Sequence, residues 1–137
     1  MKTIVGFLLI VHGFITAVQS TGSFKPSGGV PNPTWLSWFP ANLGQSWLLS
    51  RLGLEKSFIG SLMGVLWLAA GLALVAAGLG LLGFLVPTGM WRMLAGAGAL
   101  VSLLCFVVYA HPFFAIGILA DLAVLFLLLG ARWPSLP

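Results

Sequence analysis

Residues 58–86 read FIGSLMGVLWLAAGLALVAAGLGLLGFLV, without one charged side chain. A helix rises about 1.5 Å per residue and crosses a hydrocarbon core of about 30 Å in roughly 20 apolar residues. The stretch is longer than that, so it is expected to tilt or to begin in the interface. Pro87 is read as its end, because proline cannot continue a helix.

Three further runs of this kind flank it, at 3–20, 91–110 and 113–131, with Pro112 opening the last. Residues 1–137 are therefore read as one all-α domain, a polytopic membrane protein built as a four-transmembrane-helix bundle. The composition agrees. Hydrophobic residues make up 60% and charged residues 6%, and mean hydropathy is +1.12. Soluble domains are about a quarter charged, so eight charges could not cover a water-facing surface. Disorder is excluded by the abundance of Leu, Val, Ile and Phe.

The first run has a second reading. Lys2, an apolar stretch and small Val18 and Ser20 also suit a secretory signal peptide. His12 and two glycines within the run favour a retained helix.

Residues 21–57 form the sizeable polar region. Its first part, from Ser23 to Pro33, is rich in proline and glycine and reads as irregular. Thr34 is expected to cap a short turn carrying Trp35, Trp38 and Phe39, and Asn42 a helix carrying Leu43, Trp47, Leu48 and Leu52. Tryptophan favours the headgroup level, so this loop and helix are placed in the interface, with a lid over the bundle or a partner surface as alternatives. Asn32 precedes Pro33 and is no glycosylation acceptor.

Four spans put both termini and the turn at 87–90 on one face. Lys2, Arg92 and Arg132 lie there in short segments, whereas Lys25, Arg51 and Lys56 are spread over the long loop. The positive-inside tendency then places the termini in the cytoplasm of a plasma or inner membrane. Trp91 with Arg92, and Arg132 with Trp133, read as matching interfacial anchors. Trp35, Trp38 and Trp47 would serve on the opposite face.

Inside lipid, helices associate through close packing of small residues. Ser57, Gly64, Gly71 and Gly78 recur at heptad spacing in the second span, and Ala95, Gly98, Ala99 and Ser102 share a face of the third. These are read as packing seams.

Ionisable residues at membrane depth are functional candidates by default. His12 lies nine residues past Thr3, Asp121 ten before Ala131, and Ser102 eleven past Trp91. His12 and Asp121 are therefore roughly 13–15 Å deep from the same face and Ser102 is at nearly the same level, so a midplane cluster of His12, Asp121 and Ser102 is expected. Thr16 and Gln19 extend it as a polar stripe toward the long loop. Such a cluster either fixes helix register or handles protons or a ligand.

Other chemistries find little support. Cys105 alone allows neither an internal disulfide nor a multi-cysteine metal site. Two histidines and two acids do not suggest zinc or a di-metal centre. His111 sits near a span end and His12 at mid-depth, a poor pair for one haem. The scattered cations form no nucleic-acid stripe, and the glycines carry no phosphate-binding motif. No cofactor, catalytic group or metal is implied.

His12-Gly13 in a short first span, a long first loop, close-spaced middle spans and Gly-Ile-Leu-Ala-Asp-Leu at 117–122 resemble small DoxX-like four-helix membrane proteins. The tryptophan-rich loop departs from that layout. The resemblance implies a four-helix membrane protein, in some cases associated with thiosulfate:quinone oxidoreductase systems. Three functions are expected from residues and resemblance together. The first is a non-catalytic subunit or accessory factor with a membrane-protein partner or a second copy. The second is a redox-associated component that takes a quinone or lipid-like ligand. The third is a small transporter or proton conductor using His12 and Asp121.

Overall fold

The computed structural model describes residues 1–26, 28–87 and 89–130. Its helices are α1 (Lys2–Val18), α2 (Ser20–Phe24), α3 (Trp47–Leu52), α4 (Phe58–Leu81), α5 (Trp91–Val108) and α6 (Ala115–Leu125). Short 3-10 turns at Thr34–Leu36 and Pro112–Phe114 and a π turn at Phe126–Gly130 complete the pattern. Among the described residues, the stretches Lys2–Phe24, Phe58–Leu81, Trp91–Val108 and Pro112–Leu129 are long and apolar enough to cross a membrane.

Several boundaries differ from the sequence reading. The first span runs on to Phe24, because Gln19 keeps right-handed helical dihedrals between α1 and α2. Hydroxyls of Thr16 and Thr21 bond back to the carbonyls of His12 and Val18, both at 2.8 Å. Such back-bonding bends helices without ending them.

The second span stops at Leu81, not at Pro87. Gly83 adopts φ +82°, its N–H reaches Gly80 O, and Phe84 N–H reaches Leu79 O at 2.8 Å. That is the glycine-capped Schellman ending, which satisfies carbonyls the helix end would otherwise orphan. The third span ends at Val108, and the fourth begins at Pro112. The expected end of the fourth at 131, together with Arg132 and Trp133, lies outside the described residues.

In the long loop, the 3-10 turn at Thr34 starts without a side-chain cap. Asn42 does not cap a helix either; its amide donates to Gly28 O instead. Ser46 caps α3, accepting from Leu49 N–H at 3.0 Å, and left-handed Gly53 closes it. The loop folds over one end of the bundle for an identifiable reason. The last carbonyls of α5 have no partner within their helix. Ser46 Oγ donates to Val108 O, and Trp47 Nε1–H donates to Val107 O, both at 2.8 Å.

α4 is the central element, packed against α1 on one side and α5 on the other; α6 leans on α5 and barely touches α1. Backbone meets backbone between α1 and α4. A Cβ at Gly71 would lie 2.5 Å from Gly13 O and Ala17 N, and one at Gly78 would lie 2.6 Å from Gly6 O. Gly64, on the same heptad, meets the Phe24 ring instead. Ser57 begins α4 as its cap and accepts from Ile59 N–H. Buried Ala95, Gly98 and Ala99 form the α5 seam, Gly98 lying against Ala70 and Leu74 of α4.

Two apolar clusters fill the interior. The loop-side cluster holds Leu49, Met63, Trp67, Cys105, Phe106, Tyr109 and Phe114. The terminus-side cluster holds Leu9, Leu74, Ala77, Trp91, Ala95 and Ala99. Trp91 is thus core, only 4% exposed, which corrects its reading as an interfacial anchor. Arg92 stacks over the Trp91 ring at 5.7 Å.

Candidate functional site

The boundary between the two clusters is polar. His12 Nε2 on α1 and Asp121 Oδ1 on α6 are 2.8 Å apart. The carboxyl is fully enclosed, while the His12 side chain keeps 14% exposure. Between residues 115 and 125, Asp121 is the one fully buried position. Its bond to His12 is the one side-chain hydrogen bond between α6 and α1 among the described residues.

The other expected members of the cluster behave differently. Ser102 is fully buried on α5, but its hydroxyl has no hydrogen-bond partner among the described residues. It does not bond His12 or Asp121. Thr16 is buried and spends its hydroxyl on the His12 carbonyl. Gln19 stands seven residues beyond His12, about 10 Å further toward the loop, and lines two cavities.

The second carboxylate oxygen, Asp121 Oδ2, is buried without a partner among the described residues. Cys105 is also fully enclosed.

The first cavity is a cleft of about 330 Å³ between α1 and the start of α6. His12, Thr16 and Gln19 form its polar edge, and Phe106, Phe114 and Gly117 form its back. Exposed Ile15, Phe113 and Ile116 make the rim, so the cleft opens sideways. Gly117 permits the approach of α6, since a Cβ there would lie 2.7 Å from the Phe106 ring.

The second cavity, about 260 Å³, is a polar vestibule beneath the loop. Gln19, Ser23, Gln45, Ser46, Glu55 and Tyr109 supply its polar groups. Ser23 Oγ donates to the Tyr109 hydroxyl at 2.6 Å. Burial pushes the Tyr109 phenol above its ordinary range, against a smaller opposing effect of the Ser23 bond. Beyond Asp121 in the other direction, Val5, Leu9, Trp91, Ala95, Val124, Leu127 and Leu128 leave a void of only about 20 Å³.

His111 belongs to a separate structural network. Its Nδ1 accepts from Phe113 N–H at 3.2 Å, so the proton sits on Nε2, which donates to Asn32 Oδ1 at 2.9 Å. The Asn32 amide donates to Ala41 O at 2.9 Å. Burial pushes the His111 pKa below the ordinary value. The imidazole therefore ties the loop to the α5–α6 turn in its neutral form.

No family model, curated protein or solved structure matches this chain. Its chemistry has to be read from the geometry. No group of three or more His, Cys, Asp or Glu side chains arranged for a metal occurs among the described residues. What the pair can do is exchange hydrogen-bonding roles. With Asp121 ionised and His12 neutral, the shared proton sits on Nε2 and Nδ1 is an acceptor. One added proton turns Nδ1–H into a donor. His12 Nδ1 has no partner among the described residues, and the ring borders the cleft.

Proposed function

We propose that this chain is a small integral component of a membrane complex that binds a lipid-soluble, carbonyl-bearing ligand of the quinone class between α1 and α6. The observation that carries the reading is His12, hydrogen-bonded to a fully buried carboxyl, at the edge of a sideways-open cleft walled by Phe106, Phe113 and Phe114. A cleft of about 330 Å³ is at the small end of ligand pockets. It suits a ring-sized head whose tail stays in lipid. The aromatic wall offers stacking surface. The exchangeable role of His12 Nδ1 suits both a carbonyl, which accepts, and the corresponding hydroxyl, which donates. The resemblance to DoxX-like proteins points to the same class.

In this reading the termini face the cytoplasm of a plasma or inner membrane, with Lys2, Arg92 and Arg132 on that side. The exposed rings of Trp35 and Trp38 lie at the headgroup level of the other. The scant burial of Pro112–Leu129, 11% against 44% for Phe58–Leu81, favours a neighbouring membrane protein over solitary existence. Transport through the monomer is disfavoured by the dry terminus-side packing.

The test is thermal unfolding of detergent-solubilised protein with a short-chain ubiquinone or menaquinone analogue. A saturable rise in melting temperature is expected, with at least tenfold weaker binding in His12→Leu. A photoreactive quinone should label peptides covering residues 12–19 and 113–117. No shift and no labelling would sink the quinone reading. Purification in mild detergent without a companion protein would count against the subunit role.

A further inference from the structure

We infer that the His12–Asp121 site draws its water and protons from the loop-side face alone, through the vestibule, with Gln19 and Leu43 forming the constriction between vestibule and cleft. The inference rests on His12 and Asp121 being a working site, but not on which ligand the cleft accepts.

The two cavities share two lining residues, Gln19 and Leu43. One is a side-chain amide able both to donate and to accept, and the other is apolar. On the vestibule side, the amides of Gln19 and Gln45, the hydroxyls of Ser23, Ser46 and Tyr109 and the carboxylate of Glu55 surround about 260 Å³. A water needs only about 10–15 Å³ of accessible space and two to four polar partners, so this volume holds several. Exposed Thr21, Gly28 and Val30 border it, leaving it open to the aqueous phase. On the cleft side, Thr16 and His12 follow Gln19 at helical spacing along α1.

On the terminus side the space directly below Asp121 is filled. Leu9, Leu74, Ala77, Trp91, Ala95 and Ala99 pack there, with a void of only about 20 Å³ beside them. The larger opening at that end, about 310 Å³ between α5 and the end of α6, is lined by Arg92, Gly96, Leu100, Leu125 and Leu128 and reaches neither His12 nor Asp121. The titratable groups near the pair are few. Cys105 is buried on α5, α4 carries no titratable side chain, and Glu55 and Tyr109 line the vestibule. One wet route and one dry wall give the site a sidedness that a ligand diffusing in from the membrane would not impose.

Cysteine accessibility in sealed proteoliposomes tests this, using a small charged methanethiosulfonate that reacts only with water-exposed thiols. Buried Cys105 should remain unmodified in the unsubstituted chain. Lys25→Cys and Lys2→Cys report which face the reagent reaches. Gln45→Cys and Thr16→Cys are expected to react from the Lys25 face at least tenfold faster than from the Lys2 face. Leu9→Cys should react from neither. Adding Leu43→Trp should slow Thr16→Cys about tenfold and leave Gln45→Cys unchanged. If Thr16→Cys does not fold, Ile15→Cys, on the cleft rim, takes its place.

Equal reaction from both faces would overturn the inference. So would reaction of Gln45→Cys with none at Thr16→Cys or Ile15→Cys, because the vestibule would then end blind. Sided labelling without any quinone effect would sink the ligand reading and leave this one standing; the converse result would do the reverse.

Discussion

The two halves of the bundle are held together in opposite ways. On the terminus side, glycine lets main chain meet main chain: Gly71 against Gly13 and Gly78 against Gly6. On the loop side, rings occupy the same kind of space. Phe24 rests on Gly64, and Trp67, Phe106, Tyr109 and Phe114 stack edge to face or tilted at centroid separations of 5.0 to 6.3 Å. Small residues bring helix axes close and leave a void of only about 20 Å³ between α1, α5 and α6; the 310 Å³ opening of that half lies to the side, between α5 and the end of α6. Bulky rings wall a cleft of about 330 Å³, and the loop roofs a second cavity of about 260 Å³. The dry half supplies cohesion and the open half supplies room for chemistry. The polar pair sits where one gives way to the other.

The largest expected effect breaks the dry half. Gly71→Leu would drive a side chain into backbone atoms of Gly13 and Ala17 that cannot swing aside. Overpacking of a tight core costs about 1–3 kcal/mol and sometimes more, so loss of folded protein or a melting temperature lower by 10 °C or more, as a rough scale, is expected. Gly64→Ala meets only the edge of the Phe24 ring, which can rotate away. Its shift should be several-fold smaller. Equal shifts in the two variants would erase the proposed contrast.

The boundary between the halves comes next. His12→Ala and Asp121→Ala, singly and combined, form a double-mutant cycle read by unfolding in mixed detergent. Hydrogen bonds between membrane helices are worth about 0.6 kcal/mol on average and up to about 1.7. A coupling of that order is expected, since α6 touches α1 at little else. Strict additivity would mean that the contact holds nothing.

The smallest effect belongs to the loop side. His111 is neutral in the folded state and its pKa lies below the unfolded value of about 6.5. As pH falls through that value the unfolded chain takes up a proton that the folded chain resists, so stability declines with acidification. The slope is bounded by about 1.4 kcal/mol per pH unit for one proton. Melting curves between pH 5 and 8 should show a decline that is absent in His111→Gln. An unchanged acid dependence in that variant would remove His111 from the account.

Much of this architecture was legible in the chain. Residues 58–86 required a spanning helix from their length and lack of charge, and the heptad of Gly64, Gly71 and Gly78 marked the face that packs. What lay against each glycine was not legible. Gly6 and Gly13 share the same seven-residue spacing and mark the partner face of α1. Helix ends were legible where proline decided them, as at Pro112. They were missed where a hydrogen-bonding pattern did, as at Gly83. Asn32 in its proline-flanked segment gave no sign of reaching His111, which lies far along the chain. Ser102 shows the limit of depth arithmetic. Equal depth places residues at one level, but rotation about each helix axis decides whether they meet.

By itself, then, the sequence determined that four stretches are long and apolar enough to cross a membrane and that His12 and Asp121 fall at matching distances along theirs. Those follow from apolar length and from a fixed rise per residue. Only the tertiary structure decided that the two side chains touch, that a cleft opens beside them, and that the loop roofs a polar vestibule. The physical reason is that lipid tails are as apolar as the side chains facing them. Hydrophobicity therefore says that a helix is in the membrane, but not which face turns inward. That choice falls to shape and to a few hydrogen bonds, whose partners lie on other helices.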